Sequence, residues 1–161
     1  MSNTKDSLEK LILGWREWVA LPGLSIPHIK AKVDTGARTS ALHTFNLCEF
    51  VEEGQPMVRF FMHPLQHRTD IEVECVAAII DERWVTDSGG HKEKRFVIGS
   101  DIEIAGQRWP IEFTLTNREN MKFRMLLGRT AMSHRAIVDP ALSYLAGKPD
   151  IESLYPETEH H

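Results

Sequence analysis

Residues 34–37 of this 161-residue chain, Asp-Thr-Gly-Ala, combine an ionisable side chain with residues that shape a tight loop. The carboxylate of Asp34 can accept or release a proton. Gly36 lets the backbone turn and lets another group approach it closely. The hydroxyl of Thr35 can stiffen the loop by hydrogen bonding. Together these residues offer an acid or base on a rigid loop.

A carboxylate on such a loop becomes a useful catalyst when a second carboxylate lies beside it. Two like charges ~3 Å apart cannot both ionise, so one pKa rises and the other falls. The ionised member then takes a proton from a water held between the pair, and the protonated member polarises a carbonyl group. This chemistry needs no covalent intermediate and no metal ion.

The element that must carry the loop is the segment directly before it. Ile29, Ala31 and Val33 alternate with two lysines at positions 30 and 32. A period of two predicts a strand with one apolar face. Because a carboxylate at the end of a buried strand is costly, its presence there indicates a use.

A second apolar segment lies downstream, as Met-Leu-Leu-Gly-Arg-Thr at residues 125–130. We predict a strand over 123–127, ended by Gly128, and a short helix over 129–135. With these two segments in this order, the sequence resembles the retropepsin-like family often labelled "ATP-dependent zinc protease". Members of that family are frequently associated with RimK-type ATP-grasp ligases. The resemblance covers residues 10–145.

The resemblance implies an all-β, retropepsin-like acid-protease barrel with one short C-terminal helix. It also implies an aspartic endopeptidase whose catalytic residues are Asp34, Thr35 and Gly36, with Thr35 bracing two loops across a dimer. Asp87-Ser88-Gly89 is a second match to the tripeptide, but its polar surroundings favour a hairpin turn. The second carboxylate would therefore be Asp34 of another copy, in a two-fold homodimer.

The same resemblance implies the substrate-binding residues. They are Ala37, Arg38, Ser88, Gly89, Gly90, Leu127, Gly128 and Arg129, with 88–90 in the hairpin that closes over substrate. Retroviral members commonly have an acid where this chain has Arg38, so Arg38 and Arg129 cannot form the usual pair. Two arginines near the cleft suit an acidic peptide or protein substrate, consistent with a partner ligase that adds glutamate.

The remaining pattern is one of short strands separated by turns. Strands at 45–51 and 57–62, at 83–87 and 94–98, and at 101–104 and 108–116 read as three hairpins. Residues 11–21 suggest a first strand, with a helix capped by Ser7 as the alternative. We predict a flexible N-terminus at 1–9, one domain at 10–146 and a flexible tail at 147–161.

Metal and cofactor motifs give little support to the zinc label. The sequence has no His-Glu-x-x-His and no Gly-x-x-x-x-Gly-Lys-Ser/Thr. His63 and His67 flank a proline and are predicted to be solvated loop residues, whereas Cys48 and Cys75 are predicted to be small core residues. His43 is expected near the cleft, in a supporting or surface role. We therefore predict no metal and no cofactor.

Composition limits the other classes of function. The formal net charge of −4 gives no argument for nucleic-acid binding, and no apolar run is long enough to span a bilayer. The absence of a signal-like N-terminus and the two cysteines predict a cytoplasmic protein with reduced thiols. Two alternatives to the aspartic endopeptidase stay open. One is a non-catalytic binding module serving an ATP-grasp ligase or ribosomal partner, and the other is a zinc-dependent protease.

Overall fold

The computed structural model describes residues 10–66, 68–86, 89–118 and 121–150. Within these ranges the chain is mostly strand, which confirms the all-β prediction. The strands are β1 (Leu11–Leu13), β2 (Arg16–Leu21), β3 (Ile26–Val33), β4 (Ser40–Glu52), β5 (Gln55–Met62), β6 (Val73–Thr86), β7 (Lys92–Ile104), β8 (Gln107–Asn117), β9 (Met125–Leu127) and β10 (Ala136–Val138). The helix α1 spans Arg129–Met132, and Pro22–Leu24 form one 3-10 turn.

Eight of these strands form one sheet that curls back on itself. Their order is β2-β3-β9-β4-β5-β6-β7-β8, with further pairings between β2 and β7 and between β4 and β8. The contact of Ala20 with Glu103 joins β2 to β7, and Ser40 pairs with Phe113 where β4 meets β8. These cross-pairings close the sheet into a barrel, which leaves few unpaired edges.

Strand β9 lies between β3 and β4, although it is remote from both in sequence. It runs parallel to β3, with Val33 opposite Leu127, and antiparallel to β4, with Ala41 opposite Leu126. The short apolar run ending at Gly128 therefore sits between the strand that enters the Asp34 loop and the strand that leaves it.

The barrel interior is filled by the apolar face of each strand. The predicted alternation in β3 is confirmed, because Ile29, Ala31 and Val33 are buried while Lys32 is exposed. The largest fully buried side chains are Phe60, Phe113, Leu13, Leu21, Ile26, Ile29, Leu42, Met62, Ile98, Ile102, Ile104 and Leu115. This packing fixes β3, β4 and β9, and with them the loop that carries Asp34.

The three predicted hairpins are present, but the first predicted strand is divided. Residues 11–21 form β1 and β2, separated at Gly14, whose backbone N–H donates to the buried carboxylate of Glu17 at 2.6 Å. Strand β1 pairs in parallel with β10, so Ile12 lies opposite Ile137. The predicted flexible N-terminus at 1–9 lies outside the described residues, as do residues 151–161 of the flexible tail predicted at 147–161.

Two predicted side-chain environments are wrong. Cys48 is exposed rather than part of the core, because it lies beyond the β4–β8 pairing, which ends at Thr44, and after an irregularity in the β4–β5 pairing that begins at Phe45. His63 is buried rather than solvated, and its ring stacks on Phe45 with centroids 4.7 Å apart. Cys75 is buried as predicted, and burial raises the pKa of its thiol to about 12.

Candidate active site

The loop of residues 34–37 is held by hydrogen bonds at both ends. The Asp34 backbone N–H donates to the carbonyl oxygen of Leu127 at 2.9 Å, and the Ala37 N–H donates to the Asp34 carbonyl at 3.2 Å. The N–H of Gly36 donates to Oδ1 of Asp34 at 2.9 Å. Asp34 is half-buried, whereas Thr35 and Gly36 are exposed. The carboxylate is thus oriented by its own loop while remaining accessible.

The start of α1 binds the same loop through backbone and side chain. The Arg129 N–H donates to the carbonyl of Ala37 at 2.7 Å, and the Thr130 N–H donates to that of Arg38 at 3.0 Å. The guanidinium of Arg129 donates to the carbonyl of Thr35 at 3.0 Å. Arg129 therefore makes a structural contact with the loop, and its side chain does not pair with Arg38.

Ser40 is a supporting residue that the sequence reasoning missed. Its hydroxyl is fully buried and accepts a 2.9 Å hydrogen bond from the backbone N–H of Gly128. A Cβ added at Gly128 would lie 2.6 Å from the carbonyl carbon of Thr39, so only glycine fits there. A serine six residues after the aspartate, facing a late apolar-apolar-Gly, is the signal that sequence could have supplied.

The predicted substrate-binding residues divide into two groups. Direct contacts bring Ala37, Arg38, Leu127, Gly128 and Arg129 together around the Asp34 loop. Gly89 and Gly90 belong instead to the turn that joins β6 to β7, and Ser88 lies outside the described residues. Whether that hairpin closes over the loop stays a prediction.

A cavity of about 230 Å³ lies beside the loop, on the side of the β6–β7 hairpin. Its polar lining includes Arg38, Arg83 and Glu112, together with Thr39 and Thr130. The Arg83 guanidinium lies 3.5 Å from the Thr39 hydroxyl and 3.5 Å from Oε1 of Glu112. Arg38 is exposed at this cavity, so it is free to meet a ligand.

His43 lies on β4, three residues beyond Ser40, and faces a basic environment. Its Nδ1 lies 2.6 Å from the hydroxyl of Thr116. Burial, aided by the positive charges of Arg118, Arg95 and Arg124, lowers the pKa of His43 to about 4. A neutral imidazole held in this way supports β4 and β8 and does not supply a second acid beside Asp34.

Among the described residues, no three His, Cys, Asp or Glu side chains lie close enough to hold a metal ion. His67 is outside those residues, and the buried His63 stacks on a phenylalanine. The donor set that the structure describes therefore does not fit the zinc site that the family label suggests.

A family model described as "RimB-like: Retropepsin-like aspartic endopeptidase RimB" matches residues 12–149. The chain belongs to this family. The match includes the Asp34 loop, the apolar-apolar-Gly segment and the hairpin between β6 and β7. The sequence resemblance and the all-β barrel are thus confirmed by an independent comparison.

Relatives named "Probable alpha-L-glutamate ligase" extend this comparison. The chain is 46% identical to the one from Shewanella pealeana, 45% to that from Desulfotalea psychrophila and 42% to that from Parasynechococcus marenigrum, each over 149 residues. These alignments cover 91%, 92% and 91% of this chain and 32% of each relative. The chain thus spans about a third of the length of the ligases that it matches.

A solved structure has the same fold. A crystal structure of a Legionella pneumophila protein of unknown function superposes with a TM-score of 0.70 at 27% identity. The alignment covers 84% of this chain and 98% of that chain. In the part of the chain that the structure describes, no helix has the length and apolarity required to cross a membrane.

Proposed function

We propose that the chain is an aspartic endopeptidase that hydrolyses peptide bonds with a water activated between two Asp34 carboxylates. One observation carries the proposal: the Asp34 loop is locked by backbone hydrogen bonds to 127–130, while its carboxylate stays accessible. A rigid, oriented carboxylate costs no reorganisation during the reaction. The match to an aspartic endopeptidase family supports the same chemistry.

The proposal requires a homodimer, because each chain supplies one such loop. Thr35 and Gly36 are exposed at the loop tip, so a second copy can approach them about a two-fold axis. A side chain at position 36 would come within 3.2 Å of Asp34 Oδ1, so glycine there keeps this approach open. The two carboxylates would then share one proton and titrate as a pair.

In this dimer each residue has a defined task. The ionised Asp34 takes a proton from the bound water, and the oxygen of that water attacks the scissile carbonyl carbon. The protonated Asp34 of the other copy donates a hydrogen bond to the carbonyl oxygen and stabilises the tetrahedral intermediate. Proton transfer to the leaving nitrogen then releases an amine and a carboxylic acid. Thr35 would brace the two loops against each other.

The preferred substrate would be an acidic peptide or protein segment. Arg38 is exposed beside the loop, and Arg83 and Glu112 line the same cavity. A guanidinium binds a carboxylate in bidentate geometry, which gives direction as well as charge. Relatives that are named glutamate ligases support a link to glutamate-containing chains and to an ATP-grasp partner.

A binding module without catalysis is the second candidate, and one observation favours it. The chain corresponds to a third of proteins that are named ligases, so the domain could serve to recruit a ligase or its substrate. In that case Asp34 would shape the loop through its bond to Gly36 and would perform no proton transfer.

The deciding experiment compares the protein with its Asp34→Asn variant on a library of Glu-rich and Gln-rich peptides. Mass spectrometry in H2¹⁸O should find one ¹⁸O atom in the new carboxyl group, and Asp34→Asn should abolish cleavage while the fold is retained. Activity should rise with the square of protein concentration until the dimer is formed. Cleavage that survives in Asp34→Asn would overturn the catalytic role of Asp34, whereas no cleavage by a verified dimer would favour the binding module.

A further inference from the structure

Three cations converge on one aromatic ring on the outer face of the β2–β3 hairpin. The guanidinium carbon of Arg16 lies 4.7 Å from the centroid of Tyr144, Nζ of Lys148 lies 5.1 Å from it, and Nζ of Lys30 lies 5.6 Å from it. Two tryptophans flank the group, with Trp15 at 4.5 Å from Arg16 and Trp18 at 5.3 Å from Lys30. We refer to Arg16, Lys30, Lys148 and Tyr144 as the Tyr144 cluster.

Strand register extends the cluster toward the Asp34 loop. Arg16 lies opposite Lys32 across the β2–β3 pair, and Trp18 lies opposite Lys30. Lys30 and Lys32 therefore occupy one face of β3, two positions apart, and the strand then enters the loop at Asp34. At ~3.3 Å per residue, the distance along the chain from Lys30 to Asp34 is about 13 Å.

These cations lack carboxylate partners among the described residues. No Asp or Glu oxygen of that part of the chain forms an ion pair with Arg16, Lys30, Lys32 or Lys148, although the chain as a whole carries a net charge of −4. Lys30 instead donates to the amide oxygen of Gln66 at 3.3 Å, and Nε of Arg16 is buried without a hydrogen-bond partner. Like charges held close together favour an anion between them.

Two acids beside the Tyr144 cluster serve other groups. The carboxylate of Glu17 is buried and accepts hydrogen bonds of 2.9 Å from the N–H groups of Leu145 and Ala146. Glu103 is bound by Arg108 at 2.9 Å. Glu17 thus holds the backbone of the segment that carries Tyr144 and Lys148. Its carboxylate is buried and is not part of the surface on which the cations lie.

From this arrangement we infer that the Tyr144 cluster and Lys32 form a docking surface for the acidic segment of a polypeptide, separate from the Asp34 cleft. The cations supply charge complementarity, and the aromatic rings hold their side chains in place. Used together with the cleft, the surface would select long acidic chains over short ones. This role in substrate selection rests on the proposed peptidase function, whereas the docking itself does not.

The test measures binding in the Asp34→Asn background, so that no probe is cleaved. A fluorescein-labelled peptide of about twelve glutamates, ~40 Å long when extended, can span both places, whereas one of about two glutamates, ~7 Å long, is shorter than the distance from Lys30 to Asp34. Fluorescence anisotropy should show that Lys30→Gln with Lys148→Gln weakens binding of the long peptide about tenfold and leaves the short one within about twofold. Arg59→Gln, which removes an exposed cation on the distant β5, is the matched control.

A pair of conservative substitutions distinguishes the effect of lost charge from the effect of a disturbed fold. Lys30→Arg with Lys148→Arg keeps both cations and should restore binding of the long peptide, while a Gln-rich peptide should not bind to any variant. Equal weakening of short and long peptides would overturn the inference. So would an equally strong, equally lysine-dependent affinity for a single-stranded oligonucleotide of the same charge, since that points to another class of partner.

The outcome can be distinguished from failure of the peptidase proposal. Asp34-dependent cleavage of long acidic peptides that is unchanged by the two glutamine substitutions would preserve the peptidase and overturn the docking surface. Lysine-dependent binding by a dimer that cleaves nothing would preserve the docking surface and remove the peptidase.

Discussion

The buried hydroxyl of Ser40 accepts a 2.9 Å hydrogen bond from the backbone N–H of Gly128. Ser40 is the first residue of β4, and Gly128 is the residue between β9 and α1. The bond therefore joins β4, which follows the Asp34 loop, to residues 127–130, whose backbone forms hydrogen bonds with that loop. It makes the position of the loop depend on two residues that never touch the carboxylate.

Replacing Ser40 with alanine should destabilise the protein by about 1–3 kcal/mol, because the buried Gly128 N–H loses its acceptor. Urea unfolding measures this change. Ser133→Ala is the control, because that exposed hydroxyl donates to the Arg129 carbonyl at 3.0 Å and its loss should cost much less. Equal losses for the two variants would contradict the role given to Ser40.

Gly128→Ala should be more damaging than a typical glycine substitution. The added Cβ would lie 2.6 Å from the Thr39 carbonyl carbon and 2.8 Å from the Ser40 nitrogen, both of them backbone atoms. We expect loss of any Asp34-dependent activity and a thermal midpoint lower by several degrees. Gly99→Ala on β7 meets nothing closer than 3.8 Å and should leave both properties nearly unchanged.

Glu17→Gln should loosen the segment that carries Tyr144. The buried carboxylate accepts hydrogen bonds from the N–H groups of Gly14, Leu145 and Ala146, and an amide NH2 would face some of these donors. We expect a loss of about 1–3 kcal/mol in unfolding free energy and faster amide exchange at 145 and 146. Glu112→Gln removes one partner of an exposed ion pair and should change neither the unfolding free energy nor the amide exchange. If Glu17→Gln leaves the amides of 145 and 146 as protected as in the parent, the role given to Glu17 is refuted.

Acid should destabilise the protein through His43. Its pKa is about 4 in the folded state and near 6.5 when the chain is unfolded, so the unfolded state binds more protons between these values. Stability is therefore fully present above pH 6.5 and is lost as the pH falls toward 4. After allowance for solvent screening, we expect a loss of about 1 kcal/mol at pH 5.

The measurement is urea unfolding at pH 5 and pH 7.5 for the parent and for His43→Asn. The variant should lose less stability than the parent between the two pH values. His134 is exposed, so His134→Asn serves as the control, and its pH dependence should match that of the parent. If His43→Asn shows the full acid sensitivity of the parent, other groups are responsible for it.

The fold could be predicted from sequence because most strands and turns have local sequence patterns. In addition, the Asp-Thr-Gly and apolar-apolar-Gly motifs in this order are typical of one family. The alternation around Ala31 and the hairpin of residues 101–104 and 108–116 are each predicted by patterns within a few residues. The pairing of the Asp34 loop with the segment ending at Gly128 came from family resemblance, since no local pattern shows that β9 inserts between β3 and β4.

Parts of the site could not be predicted because they depend on tertiary contacts. The sequence around Ser40 does not show that its hydroxyl is a hydrogen-bond acceptor, because the donor, the N–H of Gly128, is 88 residues away. The sequence around His63 predicts a solvated loop side chain, whereas its burial depends on stacking against Phe45. The division of residues 11–21 follows from Glu17, whose partners at 145 and 146 are more than a hundred residues away in sequence.

The insertion of β9 also has a consequence for the order in which the protein becomes complete during synthesis. The strand that holds the Asp34 backbone emerges from the ribosome nearly a hundred residues after Asp34 itself. Contacts between such distant segments form late and slowly in folding. The nascent chain therefore carries its aspartate without the framework that orients it, and the rigid loop exists only after most of the domain has been made.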